Sequence, residues 1–396
     1  MRAIIVGAGI AGPVTAMALQ RAGIESVIVE AHPPSDVEVG SYFTVSPNGL
    51  QALDVVGAVS IAKAIGFPTR RNVMRNSAGH ELGTLPLGSP LADGTPAMTM
   101  KRSRLAGALA DEAVRRGIRI DFGRRLRSVA RDGEGVVARL EDGSTERADL
   151  LIGADGVHSV VRRTIDPTAP GGRYVGLTNF GGITRAGLVP GVALEPESWQ
   201  FMFGRQAFFG AHRTPDGDVV WFVNAPRDEI GREERATTPL ESWQQWLAAL
   251  FEEDAGSAGA LIRAGRLELA ADNTYDLGHV PVWHRDRMIV IGDAAHAPAP
   301  SSGQGASMAM EDGVVLAIAL RDHADIERAF AAYEAARRER VERIVAQGAR
   351  SSSSKTPGRV GSLFRDAFMR IAFRYLITER SMAWMYDHRI DWGHPA

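Results

Sequence analysis

The sequence predicts an α/β fold in which a Rossmann-like domain is interrupted by an inserted antiparallel-sheet domain and followed by C-terminal helices. Three observations support this prediction. A glycine-rich turn lies between an apolar strand and a helix at the start of the chain. From about residue 170 to 285, short aromatic strands with polar turns replace this pattern, which is typical of an antiparallel sheet. Apolar runs that resemble buried parallel strands recur at 2–6, 26–29, 118–122, 148–152 and 287–291.

The first turn has the spacing of a dinucleotide-binding motif. Gly7, Gly9 and Gly12 would allow a tight turn, close approach of a pyrophosphate, and close packing of helix on strand. The pyrophosphate would lie at the helix N-terminus, where free N–H groups and the helix dipole favour negative charge. The second strand ends in Glu30, 18 residues beyond Gly12, where a ribose-binding carboxylate is expected. The motif therefore predicts a dinucleotide site.

Two further turns follow predicted strands much later in the chain. Gly153–Gly156 reads Gly-Ala-Asp-Gly, and Gly292–His296 reads Gly-Asp-Ala-Ala-His. The second of these leads into a glycine-rich helix start at Gly303–Gly305. Three such turns fit one extended ligand held along most of a domain, which favours FAD over NAD as the dinucleotide.

Composition narrows the classes of protein. The 396 residues are 45% hydrophobic and 23% charged, with a net charge of -2, so nothing indicates nucleic acid or an anionic surface as the partner. The absence of cysteine excludes thiolate catalysis, disulfide redox chemistry and zinc-thiolate sites, and is compatible with the cytoplasm. We predict no metal site. We also predict no integral membrane span and no signal peptide, because glycines and Pro13 interrupt the apolar segment at the start of the chain, which is the only candidate for either.

The predicted elements give a discontinuous domain organisation. Helices are expected at Pro47–Val56, Met100–Arg116, Glu311–Arg321 and Ile326–Gln347, and hairpins between 124 and 147. Residues 1–70, 100–168 and 286–347 would form the FAD-binding domain. Residues 71–99 and 169–285 would form the substrate-binding sheet domain, because an insertion this long is too large for a loop.

The C-terminal segment, 348–396, has two interpretations. Residues Leu363–Met385 combine aromatic and aliphatic side chains with several arginines. A single helix docked on the body of the protein would explain this pattern. A helix that lies on a membrane surface or lines a substrate entrance would explain it too. A break is expected at Ser351–Ser354, just before this segment.

These motifs together resemble the class A flavoprotein monooxygenases, the para-hydroxybenzoate hydroxylase-like aromatic hydroxylases. The match extends over nearly the whole chain and includes an arginine-leucine helix at Arg102, Leu105 and Leu109, in addition to the three turns. The resemblance implies FAD as cofactor, with NADH or NADPH and O2 as co-substrates. It implies an aromatic or polyketide-like substrate, hydroxylated or epoxidised through a C4a-hydroperoxyflavin. We expect a monomer or homodimer in the cytoplasm.

The resemblance also implies roles for single residues. Arg102 would contact the phosphates or ribityl chain, Asp293 a ribityl hydroxyl, and Asp155 both FAD and the nicotinamide. Leu126 would lie near the adenine and Pro300 against the flavin ring. The other residues implied in cofactor binding are Gly7, Gly9, Ala11, Gly12, Glu30, Gly292, Gly303 and Gly305. Taken alone, Asp155 could instead cap the following helix, Arg102 could belong to a solvated basic turn, and His296 is expected to be structural.

Two departures from the family concern the reductant. Many members have an arginine shortly before the segment that matches Gly40–Tyr42, whereas Asp36–Val39 contains none. Many have an arginine after the ribose-binding acid, and here Ala31 follows. Three other functions stay open. A flavin-dependent halogenase is disfavoured by the absence of a Trp-x-Trp-x-Ile-Pro segment. The others are a flavoprotein that shields a reactive intermediate without turnover and, from the first motif alone, a nicotinamide dehydrogenase.

The inserted sheet supplies the candidate substrate residues. Strand alternation allows about half of its aromatic residues to face a pocket. His212 and Asn224 are the polar candidates for orienting or deprotonating the substrate, although the flavin would carry the chemistry. The aromatic candidates for the pocket floor are Trp199, Phe201, Phe203, Phe208, Phe209, Trp221 and Phe222.

Overall fold

The computed structural model describes residues 1–34, 40–353 and 359–394. Their strands are β1 (Arg2–Val6), β2 (Glu25–Val29), β3 (Tyr42–Val45), β4 (Phe67–Thr69), β5 (Arg71–Asn76), β6 (Glu81–Pro86), β7 (Ala97–Lys101), β8 (Arg119–Asp121), β9 (Leu126–Asp132), β10 (Gly135–Leu140), β11 (Thr145–Ala148), β12 (Leu150–Gly153), β13 (Arg173–Thr184), β14 (Ser198–Phe203), β15 (Phe208–Arg213), β16 (Val219–Pro226), β17 (Arg266–Asp276), β18 (His284–Arg285) and β19 (Met288–Val290).

The helices are α1 (Ala11–Arg21), α2 (Pro47–Val55), α3 (Val59–Ile65), α4 (Arg102–Arg115), α5 (Val160–Ile165), α6 (Arg232–Thr237), α7 (Leu240–Ala249), α8 (Ala258–Ala264), α9 (Gly305–Asp322), α10 (Ile326–Ser353), α11 (Arg359–Tyr375) and α12 (Glu379–Tyr386). Two short 3-10 turns, Gly292–Ala294 and Pro300–Ser302, precede α9. Within the described ranges, no helix is both long enough and apolar enough to cross a bilayer.

The first layer is a six-stranded sheet in the order β18-β19-β12-β1-β2-β8. It brings all five predicted parallel strands together, and only the added edge strand β18 runs antiparallel. Ile4 and Ile5 of β1 are both fully buried, since helices cover both faces of a parallel sheet and remove the usual alternation. Helix α9 packs so closely on α1 that a Cβ on Gly313 would meet Thr15 Oγ1 at 2.5 Å.

The second layer is a seven-stranded sheet in the order β17-β13-β16-β15-β14-β5-β6. Its pairs are antiparallel except that of β14 with β5. One face packs on α7 and α8, around a core that includes Phe180, Trp243 and Leu261. The opposite face carries most of the aromatic residues and turns toward the small sheet β3-β7-β4. The predicted hairpins form a separate three-stranded sheet, β11-β10-β9.

Several predicted helix boundaries were wrong. Residues 97–101 are a strand, so the helix predicted from Met100 begins at Arg102. Helix α9 begins at Gly305, six residues before the predicted start, and α10 runs to Ser353 through the expected break. The single C-terminal helix is two helices, because Thr378 and Ser381 form a capping box that starts α12. Tertiary packing thus extended or divided helices that sequence periodicity placed only approximately.

The C-terminal segment docks against the edge of the seven-stranded sheet. Met369 and Phe373 of α11 pack beside Leu82 and Phe203. Gly83 permits this contact, since a Cβ there would overlap the Phe373 side chain. Asn76 Nδ2 donates to Asp366 Oδ2 at 2.9 Å. The docked-helix interpretation therefore describes one face of α11 correctly.

Candidate active site

The glycine turn between β1 and α1 is built by close backbone contacts. A Cβ on Gly7 or Gly12 would overlap a carbonyl oxygen, of Ala154 and Gly7 respectively. Around Gly9 the structure leaves nothing within 4 Å of an added Cβ. Gly7 and Gly12 are therefore required by the fold, whereas Gly9 borders open space. This difference fits a ligand that approaches the backbone at Gly9.

The three distant turns meet at the carboxyl end of the parallel sheet. Ala154 N donates to Val6 O at 2.8 Å, which joins the second turn to the first. A Cβ on Gly292 would lie 3.5 Å from Ala11 Cβ, so the third turn also packs on the start of α1. Open α/β sheets bind their ligands at this edge. The arrangement therefore makes one continuous rim from three parts of the chain.

Arg102 and Asp293 face each other across this rim. Arg102 Nη2 lies 3.6 Å from Asp293 Oδ2, and both side chains remain partly exposed. Exposed ion pairs of this kind contribute only about 0–1 kcal/mol, so a ligand can replace the contact at little cost. Arg102 directly follows β7 as the first residue of α4, and Asp293 lies in the 3-10 turn after β19, so the ends of two strands position both backbones. A cation and an acceptor placed together suit a phosphate and a sugar hydroxyl.

Glu30 lies where the ribose-binding carboxylate is predicted, but it already has protein partners. Its two carboxylate oxygens accept hydrogen bonds from Ala8 N at 2.7 Å and His32 N at 2.8 Å. The backbone of Arg124 donates to Glu30 O at 2.8 Å, which brings the start of β9 close to this point. Leu126, the first residue of β9, is buried. The predicted ribose and adenine ends thus lie side by side.

Asp155 caps the helix that follows it. Its Oδ2 accepts from Val160 N at 2.7 Å and Val161 N at 3.2 Å, and its Oδ1 accepts from Ser159 Oγ. Burial raises the pKa of Asp155, against the opposing effect of these hydrogen bonds. The capping alternative describes the side chain, while the backbone of Asp155 borders Gly7. Asp155 therefore shapes the rim through its backbone and the start of α5.

The third turn leads to a second free helix start. Pro300 is exposed at the beginning of a 3-10 turn, and Gly303 has a φ of +63° at its end. Helix α9 begins at Gly305 and helix α1 begins at Ala11. No described side chain caps the N-terminus of either helix. The first N–H groups of both helices are thus available to a ligand. Open glycines, a sugar acceptor and two uncapped helix starts fit a flavin dinucleotide.

A buried charge network, which the sequence did not reveal, holds the third turn on α9 and α10. Asp312 Oδ2 accepts from Gly292 N at 2.8 Å and lies 2.6 Å from His296 Nε2, and its Oδ1 accepts from Arg337 Nε at 2.8 Å. Glu311 pairs with Arg337 at 2.7 Å. His296 is therefore structural, as expected. The network fixes Gly292, and with it the backbone that carries Asp293.

The charges in this network offset one another. Burial would raise the pKa of Glu311, but the guanidiniums of Arg337 and Arg340 outweigh it and hold the pKa at about 2. Burial opposes ionisation of Asp312 too, and His296 and Arg337 hold its pKa well below the usual range. Both carboxylates stay ionised because each has a cationic partner within the same dry region. Removal of one member leaves the charges of the network unbalanced in a buried region.

The seven-stranded sheet divides the predicted aromatic residues between its two faces. Phe209 and Trp221 belong to the core beneath α7 and α8, so their predicted place in the pocket floor was wrong. The other five aromatic residues lie on the opposite face, and among them only Phe201 and Phe222 are partly exposed. These two rings pack edge to face at 5.8 Å between centroids. They are the aromatic surface that a substrate could still contact.

His212 and Asn224 lie on the same face but are buried. His212 Nδ1 lies 2.8 Å from Arg213 O and Nε2 lies 3.0 Å from Thr69 Oγ1. Because Nδ1 must donate to a carbonyl, Nε2 of the neutral ring accepts from the hydroxyl. Burial lowers the pKa of His212 to about 4. Asn224 Nδ2 donates to Asn179 Oδ1 at 3.1 Å. These contacts favour structural roles, and their catalytic roles stay predictions.

The hydrogen bonds of His212 continue into a threonine cluster. Thr69 Oγ1 lies 2.6 Å from Thr99 Oγ1, which lies 2.8 Å from Thr44 Oγ1. Trp199 Nε1 donates to Thr44 at 3.0 Å. This chain of hydroxyls joins the small sheet to the seven-stranded sheet. The segment Asp36–Val39, whose lack of arginine bears on the reductant, lies outside the described residues.

Comparisons with known proteins agree with this geometry. The family model described as FAD binding domain matches residues 1–348. Aurachin C monooxygenase/isomerase of Stigmatella aurantiaca is 30% identical over 401 residues, covering 98% of this chain and 95% of that protein. FAD-dependent urate hydroxylase of Klebsiella pneumoniae is 31% identical over 353 residues, covering 87% and 88%. The structure of Klebsiella pneumoniae HpxO with FAD and uric acid is 27% identical, with a TM-score of 0.81 over 97% of each chain.

Proposed function

Because this chain belongs to the FAD-binding family of class A flavoprotein monooxygenases, we propose that it oxygenates a neutral, largely apolar aromatic or polyketide-like molecule. FAD is its cofactor, and NAD(P)H is the usual reductant of the family. One observation supports the choice of a neutral substrate. The inward positions of β14, β15 and β16 carry aromatic, aliphatic, amide and neutral imidazole groups, and none of these described side chains is charged.

Each part of FAD would be bound by a different part of the rim that the three turns form. The N–H groups at the start of α1 and the backbone at Gly9 would take the pyrophosphate, and Glu30 the adenosine ribose. Arg102 and Asp293 would separate to bind the phosphate and ribityl chain. The start of α9, at Gly303 and Gly305, would stabilise negative charge on the flavin pyrimidine. The bound cofactor supplies the redox chemistry, in which NAD(P)H provides electrons and O2 the transferred oxygen atom.

The protein contributes binding, orientation and exclusion of water on the substrate side. Phe201 and Phe222 would contact the substrate ring, and the buried rings behind them would keep water out. His212, held neutral by burial, would fix the threonine cluster and not withdraw a proton. The described inward side chains of β14, β15 and β16 offer an anionic substrate no cation, and the two buried cations beside this face are already paired, Lys101 with Glu268 at 2.9 Å and Arg365 with Asp366 at 2.8 Å. Desolvation of an anionic substrate would therefore be poorly compensated. A monomer or homodimer in the cytoplasm remains part of the proposal.

Flavin reduction in the presence of candidate ligands tests this function. Neutral bicyclic ligands such as an alkyl-4-quinolone or a naphthol should accelerate NAD(P)H-dependent bleaching of the flavin by roughly tenfold or more, since many related enzymes couple the two events. Mass spectrometry should then find a product that has gained one oxygen.

Urate and para-hydroxybenzoate serve as the anionic comparison in the same assay. If they accelerate reduction and no neutral ligand does, the proposed substrate class is wrong. Flavin reduction without any oxygenated product, for every ligand, would instead support the protein that shields an intermediate. Halogenated product in the presence of chloride or bromide would support the halogenase.

A further inference from the structure

Helix α11 has a second apolar face, which points away from the body of the protein. Phe368, Ile371 and Tyr375 are 66%, 58% and 65% exposed, and Leu376 at the end of the helix is 61% exposed. The first three recur at intervals of three and four residues and therefore form one row on the helix. We call these four residues the α11 ridge. The other large exposed hydrophobic residues of the described chain, such as Leu188 and Leu240, lie far apart in sequence.

The inward face of the same helix is already satisfied. Met369 and Phe373 pack beside Leu82 and Phe203, and Ala372 is buried. The ridge is therefore a different face of α11 from the one that packs on the body of the protein. Solvent exposure of four large apolar side chains in one place costs free energy, and such patches commonly mark a contact with another surface.

Positive charge lies directly beside the ridge. Arg370 and Arg374 are exposed and form the adjacent row of α11, and Arg380 is exposed at the start of α12. Residues 365–380 contain four arginines against two acidic residues, whereas the whole chain has a net charge of -2. The Arg374 guanidinium lies 5.5 Å from the centre of the Tyr375 ring. The local surface is therefore cationic on a slightly anionic protein.

Charge decides which partner fits this surface. A second copy of the chain would place the same arginines opposite one another in a two-fold arrangement, which is repulsive. An anionic bilayer surface would attract them while the ridge enters the boundary between headgroups and acyl chains. We propose that the α11 ridge and its arginines bind the protein peripherally to anionic phospholipid membranes, with α11 lying in the plane of the surface.

Vesicle flotation with the full-length, flavin-loaded protein tests this proposal. Vesicles that contain phosphatidylglycerol should carry the protein at low salt, and vesicles of phosphatidylcholine alone should carry much less. The variant Arg370→Gln/Arg374→Gln should bind at least roughly tenfold more weakly, because each arginine near an anionic surface contributes to affinity. The variant Phe368→Ser/Ile371→Ser should lose a similar factor at low and high salt, because it removes apolar burial.

Matched controls separate the ridge from general surface effects. Leu188→Ser/Leu240→Ser removes two exposed apolar side chains elsewhere, and Arg127→Gln/Arg139→Gln makes the same change in net charge at exposed positions. Both should bind vesicles like the unchanged protein. Flavin content and circular dichroism show whether each variant is folded. If Phe368→Ser/Ile371→Ser does not fold, the vesicle binding of Arg370→Gln/Arg374→Gln tests the proposal.

Three results would overturn the proposal. The unchanged protein could fail to bind anionic vesicles at low salt. The apolar variant of the ridge and the arginine variant beside it could both bind vesicles as well as their controls. Alternatively, sedimentation velocity could show a dimer that Phe368→Ser/Ile371→Ser dissociates, which would assign the ridge to a second copy. None of these measurements depends on the substrate, so they remain distinct from the test of the proposed function.

Discussion

The cofactor rim and the aromatic sheet face are built on opposite principles. The rim consists of backbone N–H groups, close glycines and a buried network of four charged side chains behind it. The sheet face consists of rings and aliphatic groups, among which His212 and Asn224 are hydrogen-bonded to other protein groups. A dinucleotide presents the same phosphates and sugars in every relative, so backbone geometry can recognise it. A substrate differs between relatives, so exchangeable side chains must recognise it.

Removal of Asp312 is the strongest test of the rim. The variant Asp312→Ala leaves His296 without its buried carboxylate and Arg337 with Glu311 alone, and it should lower the free energy of unfolding by about 3–5 kcal/mol. Chemical denaturation of the flavin-free protein measures this. Asp322→Ala, at the exposed end of the same helix, should cost no more than about 1 kcal/mol. Equal effects in the two variants would mean that the network does not support the turn.

Acid should affect the sheet face through His212. The folded pKa of about 4 lies below the ordinary value of 6.5, so the unfolded chain binds a proton first as pH falls. The free energy of unfolding should therefore fall between pH 6.5 and pH 4, and His212 should account for on the order of 3 kcal/mol of this decrease. The variant His212→Asn should show a shallower decline in unfolding free energy across that range, and exposed His80→Asn should not. Parallel curves for all three proteins would contradict the buried, neutral assignment.

Glycine 9 separates binding of the cofactor from folding. Because its Cβ position is open in the structure, Gly9→Val should leave the flavin-free protein folded while it blocks the approach of pyrophosphate. Fluorescence titration should show FAD affinity reduced on the order of a hundredfold, from steric exclusion and lost hydrogen bonds. Gly107→Val, at an open position on exposed α4, should bind FAD normally. An unchanged affinity in Gly9→Val would move the pyrophosphate elsewhere.

The two faces of the sheet predict different consequences for similar substitutions. Phe222→Ala removes a partly exposed ring and should raise the KM for a neutral aromatic substrate roughly tenfold, with little change in flavin absorbance. Phe209→Ala opens a cavity beneath α7 and should instead destabilise the protein by about 3–5 kcal/mol. Steady-state kinetics and thermal unfolding of both variants distinguish the two. A raised KM in Phe209→Ala alone would reverse the assignment of the faces.

Much of the cofactor side was predictable because its signals are local. Each glycine turn follows its own strand within a few residues, and parallel strands place all such turns at one edge. The five strands of the parallel sheet were therefore confirmed together, and FAD was confirmed by the family. The side-chain contacts of Asp155 were harder to predict from the sequence. A carboxylate before a helix can cap it or bind a ligand, and only the positions of Val160 and Val161 show the cap.

The substrate side was harder to predict because its signals depend on distant residues. Period-two alternation predicts that about half of the aromatic residues share a face, whereas the structure places five of the seven on one face and Phe209 and Trp221 on the other. Both faces of this sheet are apolar, so alternation alone cannot orient them. The partners of His212 could not be read from the sequence, since Thr69 and the Arg213 carbonyl contact its two ring nitrogens only in the folded protein, and its catalytic role stays a prediction. The helix boundaries near Arg102 and Thr378 depended in the same way on strand pairing and capping that composition alone did not determine.

The sequence by itself determined the family and the cofactor, and it predicted the edge of the sheet for the cofactor site, because backbone recognition needs only glycines in a fixed local order. Tertiary structure decided which face of the sheet each ring lies on, which acid caps a helix, and which charges are buried together. Those properties depend on pairs such as Asp312 with Arg337 or Gly83 with Phe373, whose separation along the chain carries no local signal. Packing also decided that α11 has one satisfied apolar face and one exposed face, a distinction that amphipathic periodicity could not make.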